Sequence, residues 1–465
     1  MADDRIYDAI LIGAARGTVK LVPALAGAGW RVALVERKHL GGTCVNEGCM
    51  PTKTMVASAR VAYLAGRAGD YGVDTGPVSV DLGKVQQRKR AVVETFTRKA
   101  QGMIDMAGGV DLIMGEASFT SPTSVEVRMN DGGVAPLSAG RILIDTGARP
   151  VTPSVPGLDS VPFLDSTSIL GLDEIPEHLL VLGGSYIGLE FGQMFRRFGS
   201  RVTVLQRGPQ LMSREDPDVA AAIADIMRED GIALHLGVEI ANVAKAFDSQ
   251  IEITIENGAG EERLLGSHLL VAAGRVPNTE HLNLTAAGVD TDERGYIKVN
   301  DRLETNVPGI FALGDVKGGP AFTHISNDDS RIMARNLVGD GQGSTTGRPV
   351  PYTMFTDPEL ARIGISETAA RADGLDVKVA RLPMQHVDRA LEMGETRGFM
   401  KAIVDTDTKQ ILGASILGIQ AGEIMTILQV AMMGELPYTT LRDAVFSHPT
   451  LAESLNDLFM NLEEV

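Results

Sequence analysis

Two cysteines, Cys44 and Cys49, stand in the stretch GGTCVNEGCMPTKT with four residues between them, and they are the only cysteines in the chain. Thiols this close can open and close a disulfide. At the start of a helix, backbone N–H groups and the helix dipole favour the thiolate over the thiol. The alternative is a pair of small buried apolar side chains. A metal site is poorer, because two sulfurs with only His39 nearby fall short of four ligands. Two cysteines are too few for a structural disulfide framework, so any disulfide here is expected to be transient and chemical. A second pair, His448 and Glu453, occurs in SHPTLAES near the end of the chain. An acid about one helical turn beyond the imidazole could fix its tautomer and raise its basicity. Otherwise the pair is a capped turn, and the other seven histidines are read as structural.

These groups need elements to hold them. The apolar run YDAILI at 7–12, a loop opening on Gly13, a helical segment to about Gly29 and the strand RVALVE at 31–36 form a strand-loop-helix-strand unit. The layout returns in LLVLGGSYIGLEFGQMFRRFGSRVTVLQ at 179–206, and Gly13 to Glu36 spans the same separation as Gly183 to Gln206. Two copies in register imply two dinucleotide cofactors. Glu36, ending its strand, can accept two ribose hydroxyl hydrogen bonds, unless it is only a solvated acid. At the second strand end Gln206 is neutral and Arg207 follows, which leans toward NADPH, with NADH still possible.

The first loop departs from the G-x-G-x-x-G pattern: Ala15 and Thr18 fill its second and third glycine positions. Gly13 keeps the tight turn. A methyl group at Ala15 is expected to intrude on the pyrophosphate approach, and Thr18 to hinder the close packing of helix on strand. Pro23 removes a hydrogen bond within the expected helix unless that helix starts late or kinks. Arg16 could compensate by pairing with the pyrophosphate, and a shifted loop could use Gly17. In the second loop Ser185 replaces the middle glycine.

The 465 residues are too many for one core. Residues 82–107 read as helical, 110–146 as short alternating strands, and DTGARPVTPSVPG at 145–157 as a crossing between domains. LLVAAGRVPN at 269–278 reads as the strand closing the second unit, and from about 346 strands and helices follow without a phosphate loop. The net charge of -17 argues against nucleic acid or an anionic membrane as partner. The N-terminus lacks the basic region of a secretory signal, and Arg16 and Lys20 interrupt the apolar stretch, so a cytoplasmic protein is expected.

GGTCVNEGCMPTKT resembles the redox-active disulfide of the FAD-dependent pyridine nucleotide-disulfide oxidoreductases, the family of dihydrolipoamide dehydrogenase, glutathione reductase and mercuric reductase. The likeness runs almost end to end, through DTGARP, GGSYIGLE, GRVPN, TNVPGIFALGDV, FTDPELARIG and HPTLAE. It implies an α/β fold with two doubly wound Rossmann-like dinucleotide-binding domains and a C-terminal α+β dimerisation domain. The boundaries expected are 1–150 and 278–345 for FAD, 151–277 for NAD(P), and 346–465 for the interface. By the same resemblance Cys49 would face the flavin, Cys44 would meet the substrate, and Lys53 and Glu190 would pair near the flavin's reactive edge. Tyr186 would cover the nicotinamide pocket, and Asp315 would contact the flavin's sugar-alcohol chain. Gly13, Ala15, Gly42, Thr43, Thr146 and Gly147 are further cofactor positions. So are Gly183, Gly188, Gly274, Arg275 and Gly314. His448 and Glu453 would act across a homodimer interface on the partner's cysteines.

The expected activity is flavin-dependent NAD(P)H:disulfide or dithiol oxidoreduction. A metal-ion reductase acting on Hg or Cu is an alternative. PTKTMVASAR resembles mercuric reductases, but FMNLEEV lacks the second cysteine pair expected of one. If the altered loop has lost FAD, a flavin-poor nucleotide-binding or interaction module remains.

Overall fold

The computed structural model describes residues 5–258 and 260–463, in two compact units. The first takes in the chain up to Thr54, Lys84–Thr152 and Ala273–Arg348; the second takes in Met55–Gly83, Pro153–Ala272 and the chain from Pro349.

At the centre of the first unit lies a parallel sheet ordered Val110–Ser121, Val32–Glu36, Ala9–Ile12, Ile142–Ile144 and Ile310–Ala312. Ala9 to Ile12 are all buried, as expected for a parallel strand covered on both faces. Ile10 and Ile12 belong to one apolar cluster, Ala9 and Leu11 to the other. Strand order reverses on either side of Ala9–Ile12, and such a reversal opens a crevice at the strands' carboxyl ends. Val110–Ser121 continues into the antiparallel strands Ser124–Met129 and Val134–Ala139, matching the alternation in the sequence.

The helix Arg16–Gly27 follows the first strand and contains Pro23. It neither starts late nor breaks at the proline, whose ring faces solvent, away from the packed side carrying Val19, Leu21, Val22 and Leu25. Its first turn lies close against the helix Thr323–Val338: a Cβ on Gly17 would sit 2.6 Å from the backbone oxygen of Ser326. The helices Gly42–Asn46 and Cys49–Gly66 then carry the thiols.

In the second unit a four-stranded parallel sheet is ordered Ala233–Leu236, Arg201–Gln206, His178–Leu182 and His268–Val271. Only the first half of LLVAAGRVPN joins this sheet. Arg275–Pro277 pairs instead with Ala148–Pro150 in the first unit, after a break at Gly274, where φ is +129°. A six-stranded antiparallel sheet, from Tyr352–Met354 to Leu462–Glu463, forms the C-terminal part with the helix Ala421–Met433 packed on it. No helix among the described residues is long and apolar enough to cross a membrane.

Candidate active site

The two dinucleotide loops share one local construction. Gly13 has φ +101° and Gly183 has φ +116°. A Cβ on Gly13 would lie 2.3 Å from the Asp145 backbone oxygen, so only glycine turns the chain here. Glu36, at the end of its strand, accepts the Ala14 N–H at 2.9 Å through one oxygen and the Lys38 N–H at 2.7 Å through the other. In the second loop the amide oxygen of Gln206 accepts the Gly184 N–H at 2.8 Å. Gly188 keeps the close approach required of a third glycine, since a Cβ there would meet the Gly183 oxygen at 2.0 Å. Ser185 caps the helix Tyr186–Phe198 in an extended conformation, and Tyr186 opens that helix half-buried. Arg207 is exposed.

The altered positions of the first loop have found other places. Ala15 bridges to Gly41, and a Cβ on Gly42 would lie 3.1 Å from the Ala15 methyl. Thr18 is fully buried and donates its hydroxyl to Asp145 at 2.5 Å. Gly17, one residue earlier, makes a different close approach, to the helix Thr323–Val338, where a Cβ would lie 2.6 Å from the Ser326 backbone oxygen. Arg16 lies over the Phe96 ring at 5.7 Å rather than reaching into the loop.

A groove beside this loop is lined by Gly13, Glu36, Glu116, Thr146, Asn278 and His281. Thr146 and Asn278 hold each other: the Thr146 hydroxyl donates to the Asn278 backbone oxygen at 2.8 Å, and the Asn278 amide donates to the Thr146 oxygen at 2.9 Å. Gly147 turns there with φ +69°. Arg275 donates to the Ala148 oxygen and faces Asp315 at 4.0 Å, which places Gly274 and Arg275 beside the first loop's partners. Gly314 turns at φ +62° ahead of Asp315, and burial pushes the Asp315 carboxyl above its ordinary range, against the pull of Arg275 and Lys317. A glycine cradle, a helix N-terminus and a strand-end carboxylate form the donor and acceptor set that FAD requires, and the residues fit it.

Cys44 lies within Gly42–Asn46, close after Thr43, whose backbone oxygen accepts the Glu47 N–H. Cys49 is the first residue of the 18-residue helix Cys49–Gly66. Both are partly buried thiols, and the Cys49 sulfur lies 3.3 Å from the Thr323 hydroxyl. Hydrogen bonding to Cys49 pushes the Cys44 thiol well up, with burial and the Cys49 charge acting in the same direction. Lys53 follows one turn along the same helix, half-buried, in the first unit. Glu190 belongs to the second unit, buried, and accepts the Phe355 N–H at 2.8 Å.

His448 donates or accepts through Nδ1 with Glu453 at 2.9 Å, and its side chain is 64% exposed, leaving Nε2 open to solvent. The two are not on one helix. His448 lies in an irregular segment, and Glu453 precedes the helix Ser454–Met460. Of the groups near the site, Thr323 has no local sequence signal, being far from the cysteines in the chain. Asp145 had one: an acid at the end of the apolar strand ILI, directly ahead of the Thr146–Gly147 turn. Among the described residues no group of three His, Cys, Asp or Glu is arranged to hold a metal ion.

Comparison with known proteins agrees with this geometry. Residues 7–330 match the family described as pyridine nucleotide-disulphide oxidoreductase, and residues 350–459 match its dimerisation domain. The chain is 40% identical over 458 residues to the probable pyridine nucleotide-disulfide oxidoreductase RclA of Escherichia coli K12, covering 97% of this chain and 98% of that protein. It is 36% identical over 452 residues to a mercuric reductase of Staphylococcus aureus, covering 97% and 82%. Among solved structures, the Cu(II) complex of the HOCl-induced flavoprotein disulfide reductase RclA from Escherichia coli superposes with a TM-score of 0.90 at 40% identity, covering 98% and 99%. The cofactors are accordingly FAD and a pyridine nucleotide. The chain belongs to the pyridine nucleotide-disulphide oxidoreductase family and is a flavin-dependent oxidoreductase.

Proposed function

We propose that the protein works in the cytoplasm as a homodimeric, NADPH-preferring reductase of a small disulfide, using Cys44 and Cys49 as its redox pair. The observation that carries this reading is the thiol pair itself, both sulfurs partly buried, with Cys49 opening the helix Cys49–Gly66 and lying 3.3 Å from the Thr323 hydroxyl. FAD, when bound, relays the two electrons of the nicotinamide to the protein disulfide. Glu36 would hold its ribose, Asp315 its sugar-alcohol chain, and Lys53 its reactive edge.

The reduced pair then acts on the substrate. The Cys44 sulfur, losing its proton to the partner subunit's imidazole at the position of His448, attacks the substrate disulfide. A mixed disulfide forms, and the first substrate thiolate leaves with that proton. Cys49 gives up its proton as it attacks Cys44, the second substrate thiolate leaves and takes that proton, and the Cys44–Cys49 disulfide closes. Two electrons pass to the substrate in each cycle. Glu453 accepts from Nδ1–H and so fixes the imidazole tautomer that leaves Nε2 bare to take up the proton. The reverse, dithiol-oxidising direction uses the same groups.

Metal-ion reduction is the second reading, favoured by the Cu(II) complex formed by the RclA relative and by the mercuric reductase relatives. Two Cu(II) ions reduced to Cu(I) would consume one NADPH. Initial rates with NADPH and NADH, using lipoamide, glutathione disulfide, Cu(II) and Hg(II) as acceptors, separate the two. Turnover of a disulfide with NADPH supports the first reading. Turnover of metal ions alone supports the second, and no turnover with any acceptor counts against both.

A further inference from the structure

Asp145 and Thr18 are 127 positions apart, yet both end at the first dinucleotide loop. One carboxylate oxygen of Asp145 takes the Thr18 hydroxyl at 2.5 Å and the Thr18 backbone N–H at 3.3 Å, within the first turn of the helix Arg16–Gly27. The other faces the GD turn, where a Cβ on Gly314 would lie 2.7 Å from it. The Asp145 backbone oxygen closes against Gly13, and its N–H donates to Ile12 at 2.8 Å. One residue thus touches the strand end, the loop glycine, the helix start and the FAD-side turn.

We propose that Thr18 and Asp145 form a latch that holds this loop in working shape without its second and third glycines, and that the latch accommodates the FAD diphosphate while Asp145 carries its proton. The inference rests on FAD being held by this unit. A helix N-terminus attracts phosphate through its open N–H groups and positive end. An ionised carboxylate at the same place would compete with that phosphate and repel it. A neutral one keeps the Thr18 hydrogen bond without the charge.

The surroundings favour the neutral form. Burial raises the Asp145 carboxyl to about 8, the Thr18 hydrogen bond opposes this, and the charges of Asp329 and Asp315 add to it. Asp329, fully buried, is held by Arg348 at 2.6 Å and Lys317 at 3.3 Å, and Asp315 faces Arg275, so the nearby cations are already engaged by other acids. Arg16, on the same helix turn, is engaged by Phe96.

The test reads FAD release from the holoenzyme by flavin fluorescence, from about pH 6 to about pH 9.5, a range that spans this ionisation. In the native protein the dissociation constant should stay level to about pH 7 and rise roughly tenfold or more by about pH 9. Thr18→Val should raise it roughly tenfold at neutral pH, the worth of a hydrogen bond to a buried acid. Asp145→Asn keeps an acceptor for Thr18 and cannot ionise, so it should hold FAD at neutral pH and lose the alkaline weakening. It also keeps the test readable if Thr18→Val folds poorly. FAD affinity unchanged in Thr18→Val, or an alkaline weakening in Asp145→Asn equal to that of the native protein, overturns the latch while leaving the flavin reading intact. A native protein that arrives without flavin and cannot be reconstituted overturns both.

Discussion

The amide oxygen of Gln206 accepts the N–H of Gly184 at 2.8 Å, in the same place where Glu36 accepts the N–H of Ala14 in the first unit. The backbone contact is kept while the negative charge is removed. A carboxylate here binds ribose hydroxyls and repels a 2′-phosphate, whereas an amide with Arg207 next to it does not. Gln206→Glu should therefore lower kcat/KM for NADPH by roughly tenfold, about 1.4 kcal/mol, and leave that for NADH equal or higher. Initial rates with both nucleotides check this, and an unchanged ratio would remove the NADPH preference.

His448 is solvent-facing and paired with Glu453, so its open nitrogen is available to a partner protomer. Cys44→Ser and His448→Gln should each cut disulfide turnover by roughly 10²-fold or more. Mixing the two variants under conditions that exchange protomers should restore activity, because one of the two sites in a mixed dimer then has both groups intact. Failure of the mixture to exceed either variant alone would sink the shared site.

Lys401 is almost wholly buried and bonded to Asp216, Asp218 and Glu367 at 3.0, 3.0 and 2.6 Å. Lys401→Met leaves these acids facing one another and should destabilise the fold by about 3–5 kcal/mol, read by chemical denaturation. The native cluster also fixes a pH response. Burial opposes ionisation of Asp216, but its bonds from Thr368 and Lys401 prevail and lower it to about 2. A carboxyl lowered on folding contributes stability present above its ordinary value near 3.8 and lost as pH falls toward about 2. Acid unfolding in that window should be shallower in Lys401→Met, where the main counter-charge is gone.

Pro23 lies inside the helix Arg16–Gly27 with an exposed ring. It removes one helical hydrogen bond and contributes no core contact, so Pro23→Ala should stabilise the protein by about 1–3 kcal/mol. Thermal unfolding of the holoenzyme checks this; a lower melting temperature would show that the ring has a packing role.

The sequence by itself determined the periodic and the local features. The repeated strand-loop-helix-strand pattern, the thiol pair and the His448–Glu453 spacing are all short-range, set by backbone geometry and side-chain chemistry within a few residues. The strand-end acceptors Glu36 and Gln206 follow from the same register, since each must come one crossover after its loop glycine. Contacts between distant segments were decided only by tertiary packing. From the loop alone Ala15 and Thr18 read as damage, because a G-x-G-x-x-G pattern does not say what lies opposite it. Folding places Gly42 against Ala15, which gives its methyl room, and Asp145 against Thr18, which takes its hydroxyl, so each missing glycine is answered by a neighbour from elsewhere in the chain. Likewise LLVAAGRVPN reads as one strand because its apolar run is continuous, yet the chain turns at Gly274 and pairs Arg275–Pro277 with Ala148–Pro150. Strand pairing is a choice among segments far apart in the chain, and hydrophobicity along one of them does not specify its partner.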